Sequence, residues 1–422
     1  MERGAGVLQT RDAEQGIGAG MTQREKGPIS YVNWKRARNN EPQVAAYEFP
    51  LYTDGWVISD IPEGTPGFEG CAFLNTVPIE HGLGLLRPAV VLRLTDHLAP
   101  QVQTPDMSKT DTSLYHGGDL EDEFAALAST CLGLRFWASG ASRVFRPGQD
   151  PRGRPQEFSS ETPTITVRTR TPIIPGIAGP AELERLEPLK QFPGLEPDDA
   201  TALIRAARAY QQGLWVCDSD PNLAWLLLVS AIEVVADQWF VGGFDDVALL
   251  KEHKSDLVAR LLALGCEEAV EPVAGEFASI MKATAKFVGF ITHFMPPPPG
   301  NRPEHWAQLD WSAPAIKKSL SLVYNYRSKA LHEATPFPRP MCQPPYEQDG
   351  WVAPAEVPIG SATATQYAVW TRDDLPMHLH VFEYIVRSCV LGWLLSGGEK
   401  RVPAKTAPAL AAKPTQNAAK KP

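Results

Sequence analysis

Apolar residues along this chain fall into two textures. Up to about residue 175 they come in short runs of mixed period. Ala89-Val90-Val91-Leu92-Arg93-Leu94 and Thr164-Ile165-Thr166-Val167-Arg168 have strand character, the second with clean alternation, and Leu134-Arg135-Phe136-Trp137 reads as another strand. Asp119 to Leu132 instead carries Leu120, Phe124, Leu127 and Cys131 at helical spacing. Proline- and glycine-bearing loops separate these pieces, so residues 28–175 are expected to form an α+β domain. From Pro197 onward the period is helical. One helix is expected from Pro197 to Gly213 and a second over Leu223 to Phe240, with others at about 246–264, 272–293, 314–334 and 374–396. The second of these is apolar on nearly every side, which suits the middle of a bundle. Residues 197–398 are therefore expected to be all-α. Between the two regions, residues 172–195 hold five prolines and three glycines, so 176–196 reads as a linker.

Composition changes this picture at the ends. The 422 residues are 43% hydrophobic and carry a formal net charge of -9. A wholly disordered chain is excluded, and so is a protein that coats nucleic acid by bulk charge. The stretch from Glu399 to Pro422 has a charge of +5, which leaves -14 on the remaining 398 residues. It is expected to be a disordered basic tail, and residues 1–27, charged and without period, a disordered leader within which Met21 is an alternative start. The 39 prolines point to many irregular connections, among them the insertions Pro296–Pro299 and Pro336–Pro354. Six dispersed cysteines form no C-x-x-C pair, so neither a disulfide framework nor a cysteine zinc site is expected. The longest apolar run, Leu223 to Val229, has 7 residues, far short of the roughly 20 that span a bilayer. A cytoplasmic chain with no membrane partner, cofactor or metal is the expectation.

Common catalytic signatures are missing. Gly16-Ile17-Gly18-Ala19-Gly20 follows no strand and is no phosphate cradle. His378 and His380, two apart on an expected helix, would sit about 200° apart and share no metal. The informative stretch is Ile316 to Ala334. At 100° per residue, Ile316, Leu320, Val323, Leu331 and Ala334 share one stripe, and Arg327 falls at its centre. A guanidinium among apolar neighbours needs a partner. Glu233, one of two polar residues between Leu223 and Val235, is the best candidate. His332 lies about 140° round from Arg327, beside Ser321, Asn325 and Ser328, in the last turn before Pro336. Two accounts fit: a pair poised for acid–base work, or a packed Arg and a His capping the last carbonyls.

Four segments in order carry a resemblance. Leu223 to Ala236 looks like the greasy, Glu-bearing helix of HEPN domains of the ApeA-like group, and Lys282 to Phe290 resembles its middle helix. Tyr326-Arg-Ser-Lys-Ala-Leu-His-Glu333 matches the R-x4–6-H signature, and Leu379 to Arg387, running on to Trp393, resembles the closing helix. The resemblance spans about 200 residues and implies an HEPN-like helical bundle.

It further implies metal-independent RNA cleavage in a cleft shared by two protomers. Arg327 would contact the scissile phosphate and His332 would handle a proton, leaving a 2′,3′-cyclic phosphate and a 5′-OH. Glu233 would orient the pair, with Ser328 and Asn325 in supporting places. RNA would be the substrate, a homodimer the working form, and an antitoxin or defence-system component a candidate partner. The N-terminal region would be a sensing or regulatory module of a toxin or anti-phage effector. Arg36 and Arg38 beside Trp34, with Arg152 and Arg154, are candidate RNA contacts; solvated loop charge is the plainer account of each. The alternative function is a catalytically silent HEPN adaptor that binds nucleotide, RNA or a protein.

Overall fold

The computed structural model describes residues 25–76, 86–98, 108–146 and 171–401. Arg152, Arg154 and the strand expected at 164–168 lie outside the described residues. An N-terminal sheet region precedes a C-terminal helical region, as the two textures imply.

The N-terminal region opens with helix α1 (Ile29–Arg38), which the sequence reading missed. Strands β1 (Ala45–Thr53), β2 (Trp56–Ile58), β3 (Cys71–Asn75) and β4 (Arg87–Asp96) follow, then helix α2 (Leu120–Leu132) and the short β5 (Trp137–Ala138) and β6 (Arg143–Phe145). β4 lies between β3 and β1, while β5 and β6 both pair along the far side of β1; every pairing in this sheet is antiparallel. The strand expected over Leu134–Trp137 shrinks to β5, because Leu134 and Phe136 turn into the core under α2 rather than along a ladder. Asp119 and Asp122 close a capping box at the start of α2, and Gly133 ends it in the left-handed conformation at φ 71°.

The expected linker is instead part of the core. Strand β7 (Pro180–Glu182) pairs parallel with β2, and a 3₁₀ helix runs over Leu183–Gly194. Leu183, Leu186, Leu189 and Phe192 recur every third residue and are all buried. That repeat matches the three residues per turn of a 3₁₀ helix, so one apolar face stays aligned over all 12 residues. Pro188 and Pro193, which read as breakers, occupy this tighter helix. Trp34 of α1 packs on Phe192, and the Tyr31 hydroxyl donates to the Leu195 carbonyl at 2.7 Å. One continuous apolar core joins the sheet, this segment and the bundle.

The helices are α3 (Pro197–Val216), α4 (Pro221–Trp239), α5 (Asp246–His253), α6 (Ser255–Ala263), α7 (Val270–His293), α8 (Ala313–His332) and α9 (Leu379–Leu395). The greasy α4 packs against α3, α7, α8 and α9, so burial on several sides explains its composition. The single helix expected at 246–264 is two, broken at Lys254 (φ -138°, ψ 45°), where the C-terminus of one is the entry of the next. The break lets Leu250 and Val258 both reach a small satellite core on α7. Strands β8 (Ala362–Thr365) and β9 (Ala368–Thr371) form an unforeseen hairpin on the Pro-rich connection before α9. Among the described residues no helix is long and apolar enough to cross a membrane.

Candidate functional site

Helices α4 and α8 meet at a polar seam. The Arg327 guanidinium donates through Nη2 to Glu233 Oε2 at 2.7 Å, and the Tyr324 hydroxyl donates to Glu233 Oε1 at 2.8 Å. Each carboxylate oxygen thus has its own donor. Tyr324 and Arg327, three residues apart, share a helix face, and the guanidinium carbon lies 5.5 Å from the Tyr324 ring centre. The pair sits at the edge of the bundle: side-chain exposure is 21% for Arg327 and 22% for Glu233. Burial, then the neighbouring Glu233 carboxylate, push the Tyr324 phenol well above its ordinary value, while Arg327 opposes them. Tyr324 therefore stays protonated and acts as a hydrogen-bond donor.

The apolar stripe explains the placement only in part. Ile316, Leu320 and Val323 are buried, as expected. Leu331, at 52% exposure, and Ala334 are not, because α8 leaves the bundle in its last two turns. Arg327 stands where the helix passes from core to solvent. Its Nε is buried and has no partner among the described residues, so the guanidinium keeps donor capacity beyond the one bond to Glu233.

His332 is the final residue of α8 and is exposed. Ala334 takes a left-handed φ of 52°, which ends the helix before Pro336. Asn325 is exposed and Ser328 partly so; with Ser321 they line the same polar face as His332. Within one chain Arg327 and His332 diverge, by about 140° and about 7.5 Å of helix rise. The structure therefore joins Glu233, Tyr324 and Arg327, and leaves His332, Asn325 and Ser328 on the adjoining solvent face.

The remaining sequence candidates fare differently. Arg36 and Arg38 lie on α1, not on a loop. Arg36 faces Glu25 at 3.1 Å and Glu41 at 3.7 Å, and Arg38 faces Glu69 at 3.3 Å, so carboxylates already meet both charges. Trp34 is 1% exposed and belongs to the core. His378 precedes α9 in extended conformation rather than sitting on it, so its ring stacks on that of His380 with centres 6.0 Å apart. The expected 200° separation is overturned by that helix start. Tyr324 is the member of the seam that sequence reasoning missed; its spacing from Arg327 was the available clue.

Compared with known proteins, the chain matches no family model, no curated protein and no solved structure.

Proposed function

We propose that the α4–α8 seam is the site of an HEPN-type endoribonuclease that cleaves RNA without a metal ion, as a toxin or anti-phage effector. The observation that carries this reading is the Arg327–Glu233 ion pair. It links the two helices that bear the family's acid and its R-x4-H signature, and it leaves Arg327 part-exposed with donors to spare. In this mechanism Glu233 fixes the guanidinium plane and Tyr324 fixes Glu233. Arg327 offers N–H donors to the phosphate oxygen on which charge develops. The exposed imidazole of His332 takes the proton of the attacking 2′-OH or delivers one to the leaving oxygen.

Because Arg327 and His332 diverge on one helix, the reading requires the Arg of one protomer to meet the His of another. Subunit mixing tests this. Arg327→Ala and His332→Ala are each expected to be inactive, and mixed dimers of the two are expected to recover part of the activity. Failure to recover, with hybrid dimers demonstrated by mass, would rule out the shared cleft. A second reading has one observation in its favour: Glu233 already neutralises Arg327 within the chain. A silent adaptor of the same fold would retain RNA intact, and binding without cleavage would mark it.

A further inference from the structure

A basic cluster lies where the sheet region meets the bundle, apart from the α4–α8 seam. Helix α9 packs there against the 3₁₀ helix over Leu183–Gly194 and against α2. Glu383 on α9 is 6% exposed, and Tyr210 on α3 is fully buried. The Tyr210 hydroxyl and Arg387 Nε both donate to Glu383 Oε1, the latter at 2.9 Å. Burial first, then the Glu383 carboxylate, push the Tyr210 phenol well above its ordinary value, so it stays a donor. Arg387 lies one helical turn beyond Glu383, and its guanidinium carbon is 5.9 Å from the Tyr384 ring centre. Gly133, which ends α2, gives it room, since a Cβ there would stand 3.2 Å from Arg387 Nε. The Arg387 guanidinium is thus held in one orientation.

One edge of that guanidinium is spent on Glu383. Its two Nη groups make no hydrogen bond among the described residues, and with the side chain 19% exposed they are not sealed from solvent. Arg185, on the 3₁₀ helix, brings a second cation to the same cluster. Partial burial, then the charge of Arg387, hold its guanidinium below the ordinary value, while Tyr210, Glu383 and Cys131 oppose them. Arg185 is exposed as a whole and has neither an ion pair nor a hydrogen bond among the described residues. The acids nearest in sequence do not serve it. Glu182 forms no ion pair with it, Glu184 accepts from Ser59, and Glu187 pairs with Lys190 at 2.8 Å.

Two guanidiniums therefore face a single carboxylate. The Cys131 thiol, pushed up to about 12 by burial against the pull of Arg387 and Arg185, adds no anion. The surplus cation favours a bound anion, because an opposite charge relieves the repulsion between the pair. The donors left over, the Nη groups of Arg387 and the whole Arg185 fork, come from two different elements. A carboxylate has two oxygens and suits one fork, whereas the three outer oxygens of a phosphate monoester can meet two forks at once.

We propose that Arg185 and Arg387 bind the phosphate group of a small phosphate monoester, with Glu383 and Tyr210 as positioning residues that fix Arg387. Such a ligand ties the 3₁₀ helix to α9, and so the sheet region to the bundle. The proposal is independent of RNA cleavage.

Phenyl phosphate is a suitable probe, with benzoate as its carboxylate counterpart, in calorimetric titrations of the full chain at pH 8 and constant ionic strength. One saturable site per chain is expected for phenyl phosphate, with benzoate at least tenfold weaker and inorganic phosphate competing. Arg185→Gln, at an exposed position, is expected to fold normally and to weaken phenyl phosphate at least tenfold. Arg387→Lys keeps the charge but loses the fork, and is expected to weaken it similarly. Should that variant not fold, the ¹⁵Nε resonance of Arg387 in the unaltered protein is expected to shift on titration. No saturable binding, equal binding of benzoate, a wild-type affinity in either variant, or an unmoved Arg387 resonance would overturn the proposal. So would displacement of phenyl phosphate by an RNA without terminal phosphates, which would assign the cluster to a nucleic-acid backbone.

Discussion

At the residue scale, the Glu233–Tyr324–Arg327 cluster shows how far one side chain constrains another. Glu233 and Arg327 are each about one-fifth exposed, so solvent screens their attraction. Glu233→Gln is therefore expected to cost only about 1 kcal/mol of stability in urea unfolding, well short of the roughly 3–5 kcal/mol for breaking a fully buried pair. Its effect on RNA cleavage should be larger, because the guanidinium loses its orientation. Kinetics that fall by less than the stability change would make Glu233 merely structural. Tyr324→Phe removes one donor to the same carboxylate and is expected to cost about 1 kcal/mol. The Glu233–Arg327 contact was legible in the sequence because a guanidinium in an apolar stripe demands a carboxylate, and α4 offers few polar positions. Tyr324 was not legible, since a tyrosine beside Val323 on a buried face reads as packing until its hydroxyl is given a partner. Leu331 misled for the converse reason: periodicity records a face, not the point where the helix leaves the core.

At the element scale, the start of α9 carries a pH dependence. Burial depresses His380 to about 4, and burial together with its neighbour's charge depresses His378 to about 3. Both rings are thus neutral in the folded chain but protonate near 6.5 when it unfolds. The unfolded state then binds more protons between pH 6.5 and about 4, so stability is full above 6.5 and falls as the pH drops through that window. The loss for the pair is on the order of several kcal/mol by pH 4. Urea melts at pH 7, 5.5 and 4.5 should show this slope, and it should flatten in the double variant His378→Gln, His380→Gln. Equal slopes in the two proteins would contradict the account. The ring pairing was hidden from a helical wheel, which assumes that both residues are already helical. The 3₁₀ helix over Leu183–Gly194 was hidden similarly, because a three-residue period matches neither template applied to it. The β8–β9 hairpin turns through Gln366 and Tyr367, both at positive φ, with none of the glycine or asparagine that usually announces such a turn.

At the scale of the whole molecule, the sheet and the bundle share one apolar core. Arg135 is 4% exposed and bonds Asp54 Oδ1 at 3.2 Å and Asp218 Oδ2 at 3.1 Å, tying the sheet region to the end of α3. Arg135→Ala leaves two buried carboxylates without their cation and is expected to cost about 3–5 kcal/mol. Asp54→Asn and Asp218→Asn combined with Arg135→Met should cost less than the single change, and a larger loss would disprove the ion-pair explanation. With Leu183, Leu186, Leu189 and Phe192 filling the junction, thermal unfolding followed in both regions should give a single transition. Two separated transitions would show the junction to be a linker after all.

The central claim, that Arg327 and His332 cleave RNA without a metal, is tested most directly by incubating RNA with the full chain in excess EDTA and mapping the new ends. The account predicts 2′,3′-cyclic phosphate and 5′-OH termini, abolished by Arg327→Ala and by His332→Ala. Cleavage that persists in both variants, or that leaves 5′-phosphate ends, would contradict it.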